Sequence, residues 1–150
     1  MSRESKLIKP TTWAAEKTIH HYESFGWELL SFSGDVITMT RETQIPVYAE
    51  LVKMEMKYDQ LIREYNSIPY PIAPVAPAPF DFGKCCKLLL CLIVPGAIYI
   101  GYKCKQKKAN EEAMLEFHRQ VTEYNQKRAA IEAEIDKLLV DSRAIFYGKY

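Results

Sequence analysis

The chain has 150 residues, 26% of them charged, with a formal net charge of +1, a balance that argues against a general nucleic-acid binder. That length allows one compact domain, or two small modules and a connector. Four cysteines, behind a start (MSRESKLIKP) with no apolar signal-peptide core, point to a reducing compartment rather than a disulfide framework.

Residues 1–45 predict a small helix plus β-hairpin module, placing the chain in the α+β class. Thr12 can cap a helix starting at Trp13, with Glu16 near its positive end. Ala15, Ile19, Tyr22 and Phe25 follow at helical spacing, and Gly26 suits the stop. WELLSFS (27–33) and VITMTRE (36–42) flank Gly34-Asp35, a Gly-first two-residue hairpin loop. One helix and two strands bury too little by themselves. The module therefore needs the next helix, or a second copy along an open strand edge.

Residues 46–67 predict a coiled-coil-prone helix. Val47, Leu51, Met54, Tyr58, Leu61 and Tyr65 recur at steps of four and three, an a/d seam. The seam suits packing on its own hairpin, or a helical partner.

Residues 68–84 form a proline-rich linker, with five of the chain's eight prolines in IPYPIAPVAPAPF (68–80). Such a segment is extended and polyproline-like, about 3 Å per residue. Pro71, Pro74 and Pro77 share one face as PxxPxxP. No flanking arginine supports docking in an aromatic groove, so a semi-rigid spacer is the expectation.

Residues 85–105, CCKLLLCLIVPGAIYIGYKCK, hold the most apolar run, and no formal charge lies between Leu88 and Tyr102. Those 15 residues make a helix of about 22 Å, short of a ~30 Å hydrocarbon core. Snorkelling by Lys87 and Lys103 extends the reach to about 30 Å over Cys85–Cys104. The membrane-facing residues would be Leu88, Leu89, Leu90, Leu92, Ile93, Val94, Pro95, Gly96, Ile98, Tyr99, Ile100 and Tyr102. Pro95-Gly96 is either a kink or the bend of a shallow hairpin. Lys103, Lys105, Lys107 and Lys108 would meet lipid headgroups and predict a cytoplasmic C-terminus. Membrane association is the expectation; a single span, a re-entrant insertion and a buried segment stay open.

Residues 106–150 predict a long amphipathic helix with a basic start. Its seam runs Met114, Phe117, Val121, Tyr124, Ile131, Ile135, Leu138 and Ile145, interrupted by Arg128 and Ser142. An antiparallel match with residues 47–66 requires both helices on one side of any membrane. Self-association, or a coiled-coil partner protein, is the other way to bury the seam.

Catalytic or metal chemistry finds little footing. Cys85, Cys86, Cys91 and Cys104 do not form two CxxC knuckles. His20 and His21 point about 100° apart on a helix, a poor grip for one ion. No nucleophile or carboxylate has a recognisable partner spacing, and no glycine-rich loop cradles phosphate. Neither an enzyme nor a cofactor is expected.

YESFGWELLSFSGDVITMTRE, residues 22–42, resembles the closing part of small bacterial domains of unknown function built on a helix–GWEL–hairpin pattern. Gly26, Trp27, Glu28 and Leu29 match the motif, and Arg41 takes its closing basic position. The pattern's usual first strand is absent here: MSRESKLIKP has proline and charges where that strand should be. The resemblance implies the hairpin and a bacterial origin, and brings no activity. The whole chain reads as a non-enzymatic, membrane-anchored interaction or scaffold protein that self-associates through heptad helices. An oligomeric pore and a small-ligand sensor built on the GWEL module are the alternatives.

Overall fold

The computed structural model describes residues 2–79, 81–84, 86 and 93–148, without the side chains of 93–97. Its elements are β1 (Arg3–Ile8), α1 (Ala15–Glu23), β2 (Glu28–Ser33), β3 (Val36–Glu42), α2 (Tyr48–Ser67) and α3 (Ile93–Gly148). The chain divides into two compact units, Met1–Pro69 with Lys127–Tyr150, and Tyr70–Gln126.

The first unit is α+β. Its three strands form one antiparallel sheet in the order β1-β3-β2. The expected hairpin is there, and Gly34 takes φ +63° at its turn, a conformation that glycine adopts without a Cβ clash. Strand β1 corrects the expectation that no first strand is present in MSRESKLIKP. Residues 3–8 pair with β3, Glu4 opposite Arg41, Lys6 opposite Met39 and Ile8 opposite Ile37. Opposed residues share a face, so β1 turns Glu4, Lys6 and Ile8 toward the helices, and two of the three are charged. An inward face of that kind shows no apolar alternation.

Helix α1 starts two residues later than expected and has no side-chain cap. Thr12 is committed elsewhere, accepting a 2.8 Å hydrogen bond from Asn66 Nδ2 near the end of α2. Trp13 lies against Tyr65, ring centroids 5.2 Å apart. After α1, Gly26 turns the chain into β2 with φ +80°.

One core joins these elements. Ile8, Ile37 and Met39 of the sheet, Tyr22, Phe25 and Trp27 around α1, and Tyr58, Leu61 and Tyr65 of α2 are buried with Ile131, Ile135, Leu138 and Leu139 of α3. Val47 and Leu51 are buried as well, and Met54 packs on the cluster half-buried. Ile131, Ile135 and Leu138 of the C-terminal seam therefore meet the α2 seam within one chain, the antiparallel alternative to self-association. Both interruptions have reasons. The Arg128 guanidinium lies 3.9 Å from the Tyr65 ring centroid, and Ser142 is a small residue at a fully buried position.

In the second unit, Tyr70–Pro79 runs extended along α3. Tyr70 stacks edge-on to Tyr124 at 5.2 Å, and Lys103 Nζ donates to the Ala78 carbonyl at 3.1 Å. The segment advances as the helix numbers fall, so the two are antiparallel. Eight polyproline steps span about 25 Å and twenty-one helical steps about 31 Å, lengths that differ by a little over one helical turn. Pro71 and Pro74 are half-buried, three residues apart, and so on one face of the three-fold helix. Pro77, the third proline of the PxxPxxP segment, is exposed.

The membrane expectation is corrected by two findings. Among the described residues no helix is long and apolar enough to cross a bilayer. Residues on either side of the apolar run, 1–69 and 127–148, also share one core, whereas a single crossing would put them on opposite faces. Leu88, Leu89, Leu90 and Leu92 lie outside the described residues. Pro95 and Gly96 fall inside α3, so they are not a hairpin bend. The membrane-anchored reading goes no further.

Candidate functional site

The first unit holds a charged tie between the sheet and α2. Arg41, on the inward face of β3, is only 3% exposed. Its Nη2 lies 2.6 Å from Glu4 Oε1 and its Nη1 2.8 Å from Glu55 Oε2; Nη1 also donates to the Phe25 carbonyl at 3.1 Å. Its guanidinium sits over Trp27 at 4.4 Å and Tyr48 at 5.1 Å from the ring centroids. The Trp27 indole donates to Glu55 Oε2 at 3.0 Å. Lys6 completes the set, reaching Glu55 Oε1 at 2.6 Å and Asp59 Oδ2 at 3.2 Å. Glu55 and Asp59 stand one helical turn apart, so one face of α2 presents both carboxylates to the strands.

A groove of about 330 Å³ opens here, lined in part by Lys6, Arg41, Tyr48, Glu55 and Asp59. Its two cations are already bonded to carboxylates, which leaves them no ready capacity for a ligand anion. The arrangement locks strand register to α2. Tyr22 joins it by donating to Asp59 at 2.9 Å; burial and then the Asp59 charge hold its phenol well above the usual range, so it remains a donor.

His21 and Tyr58 form a second buried polar pair, Nδ1 to hydroxyl 2.8 Å, with the rings edge to face. Burial first, then the Lys17 charge, lowers the His21 pKa to about 4, so the imidazole is neutral. His20 is exposed and pairs with Glu23 at 2.9 Å. The two histidines do not converge. Among the described residues no three metal-ligating side chains cluster. Cys86 and Cys104 are free and exposed; Cys85 and Cys91 lie outside the described residues.

The remaining predicted positions are spread out. Met114, Phe117, Val121 and Tyr124 form a half-buried stripe on α3 in the second unit. Ile98, Ile100 and Tyr102 are exposed on the same helix. Of the four lysines, Lys103 bonds Ala78 and Lys107 lies 3.9 Å from Glu111, while Lys105 and Lys108 are exposed. They form no single site.

No family model, curated protein or solved structure matches this chain. Function must be read from the surface.

The feature that stands out was missed as a site. All six residues of β2 are exposed, and among the described residues the strand is hydrogen-bonded only to β3. Leu29 is 46%, Leu30 65% and Phe32 52% exposed. The strand skips Leu30 in its pairing with β3, a bulge between Leu29 and Ser31. Beyond it, Phe32 pairs with Ile37 and rejoins Leu29, the partner of Met39, on the helix side of the sheet. The sequence signal was available in LLSF, four residues with no charge on a hairpin's first strand.

Proposed function

We propose that this chain is a non-enzymatic interaction or scaffold protein that associates with further copies of itself through surfaces other than its heptad seams. One observation carries the reading. Leu51, Tyr58, Leu61 and Tyr65 are buried in the same core as Ile131, Ile135 and Leu138, while Leu29, Leu30 and Phe32 are left in water on an open strand. The seam residues buried in that core have no apolar area left for a partner. Exposed large apolar side chains in a contiguous strip mark interaction surfaces in soluble units. Light scattering on the full chain, from low to high micromolar concentration, tests the reading. Mass rising above the monomer value with concentration is expected; a strictly monomeric chain throughout removes it.

A further inference from the structure

We infer that β2 is the surface on which a second copy docks, the two strands pairing antiparallel about a two-fold axis. Two three-stranded sheets become one of six. This rests on the self-association reading and names its surface.

The two sheet edges differ in a way that favours β2. An edge strand presents unpaired backbone N–H and C=O groups, and charged side chains are the usual guard against strand addition. Strand β1 is guarded by Arg3, Glu4 and Lys6. From Leu29 to Ser33, β2 has no charge and no proline. A bulge often protects an edge by twisting it away. Here the extra residue is Leu30, so the bulge adds apolar surface instead of a guard.

The strand is also complementary to itself. Laid antiparallel with Leu30 facing Ser31, ELLSFS sets Leu29 against Phe32 twice and Glu28 against Ser33 twice. Leu29 and Phe32 already share the helix side of the sheet, so this register joins like faces and clusters four apolar side chains at the axis. No like charges meet. A slip of one residue would set Glu28 against Phe32 and oppose residues from different faces. Leu29, Leu30 and Phe32 together expose roughly 300 Å² per copy, within the range of functional apolar patches. With the paired backbones, burial over both copies is at most on the order of 1,000 Å², the low end for a specific interface.

The test uses the full chain with its native cysteines replaced by serine, carrying either Leu29→Cys or Phe32→Cys. Under mild oxidation the mixture of the two should form disulfide-linked dimers, and each variant alone should form few. In this register two copies of Leu29 sit three residues apart, about 10 Å along the strands. On the otherwise native chain, Leu30→Lys should return the dimer to monomer by light scattering with an unchanged far-ultraviolet spectrum. Dimers that survive Leu30→Lys, or that give no mixed cross-link, overturn the edge and leave self-association standing. A native chain that never dimerises removes both, and leaves β2 to a different polypeptide.

Discussion

Gly26 and Phe146, 120 positions apart, are in contact: a Cβ on Gly26 would lie 3.1 Å from Phe146 Cε2. The turn that launches β2 is thereby packed under the last turns of α3. Gly26 also has φ +80°, so Gly26→Ala meets both backbone strain and a ring. Gly34, at φ +63°, has nothing within 4 Å of its would-be Cβ. Gly34→Ala should therefore lower stability by about 1 kcal/mol, and Gly26→Ala by about 2 kcal/mol or more. Urea unfolding of both variants measures the difference, which Phe146→Ala should shrink.

Glu55 receives Lys6, Arg41 and the Trp27 indole at once. Removing it leaves a buried guanidinium short of one partner, so Glu55→Ala should destabilise by about 3–5 kcal/mol. Arg41→Lys keeps the charge but loses the planar fork and its stacking between Trp27 and Tyr48. A loss of about 2 kcal/mol is expected in the same unfolding assay.

His21 sets a pH dependence whose sign follows from its environment. Its folded pKa is about 4 and its ordinary value 6.5; burial and the Lys17 and Arg143 charges lower it, against an opposing pull from Asp136. Below pH 6.5 the unfolded chain takes up a proton that the folded chain refuses. The group's contribution is complete above that pH and falls away down to about pH 4, by on the order of 3 kcal/mol. His21→Gln keeps a hydrogen-bond partner for Tyr58 and removes the titration. Urea midpoints near pH 7.5 and 4.5 should fall further for the native chain than for His21→Gln, since other acidic groups titrate alike in both.

Ile135 is buried in the core shared with α2, whereas Leu115 is exposed on the same helix. Ile135→Ala should cost about 2–5 kcal/mol, and Leu115→Ala less than about 0.5 kcal/mol. The Ile135 effect should not change with protein concentration. A concentration-dependent loss would mean that the seam is buried between chains instead.

The local elements followed from residue patterns. Gly-Asp between two β-prone runs placed the hairpin, four-three spacing placed α2 and the amphipathic stretch of α3, and Gly26 ended α1. Each depends on neighbours a few positions away, and so is written in the sequence. Strand β1 could not be read that way. Its inward Glu4 and Lys6 are stable there only because Arg41, Glu55 and Asp59 meet them across the fold.

The seams show the same limit. Periodicity declares that a helix has an apolar stripe, but does not name what covers it. Tertiary structure supplied the cover from the same chain, brought residues 127–148 against 1–69, and so removed the single membrane crossing that composition had favoured. It also left Leu29, Leu30 and Phe32 exposed, because among the described residues the helices that bury Ile37 and Met39 do not cover β2.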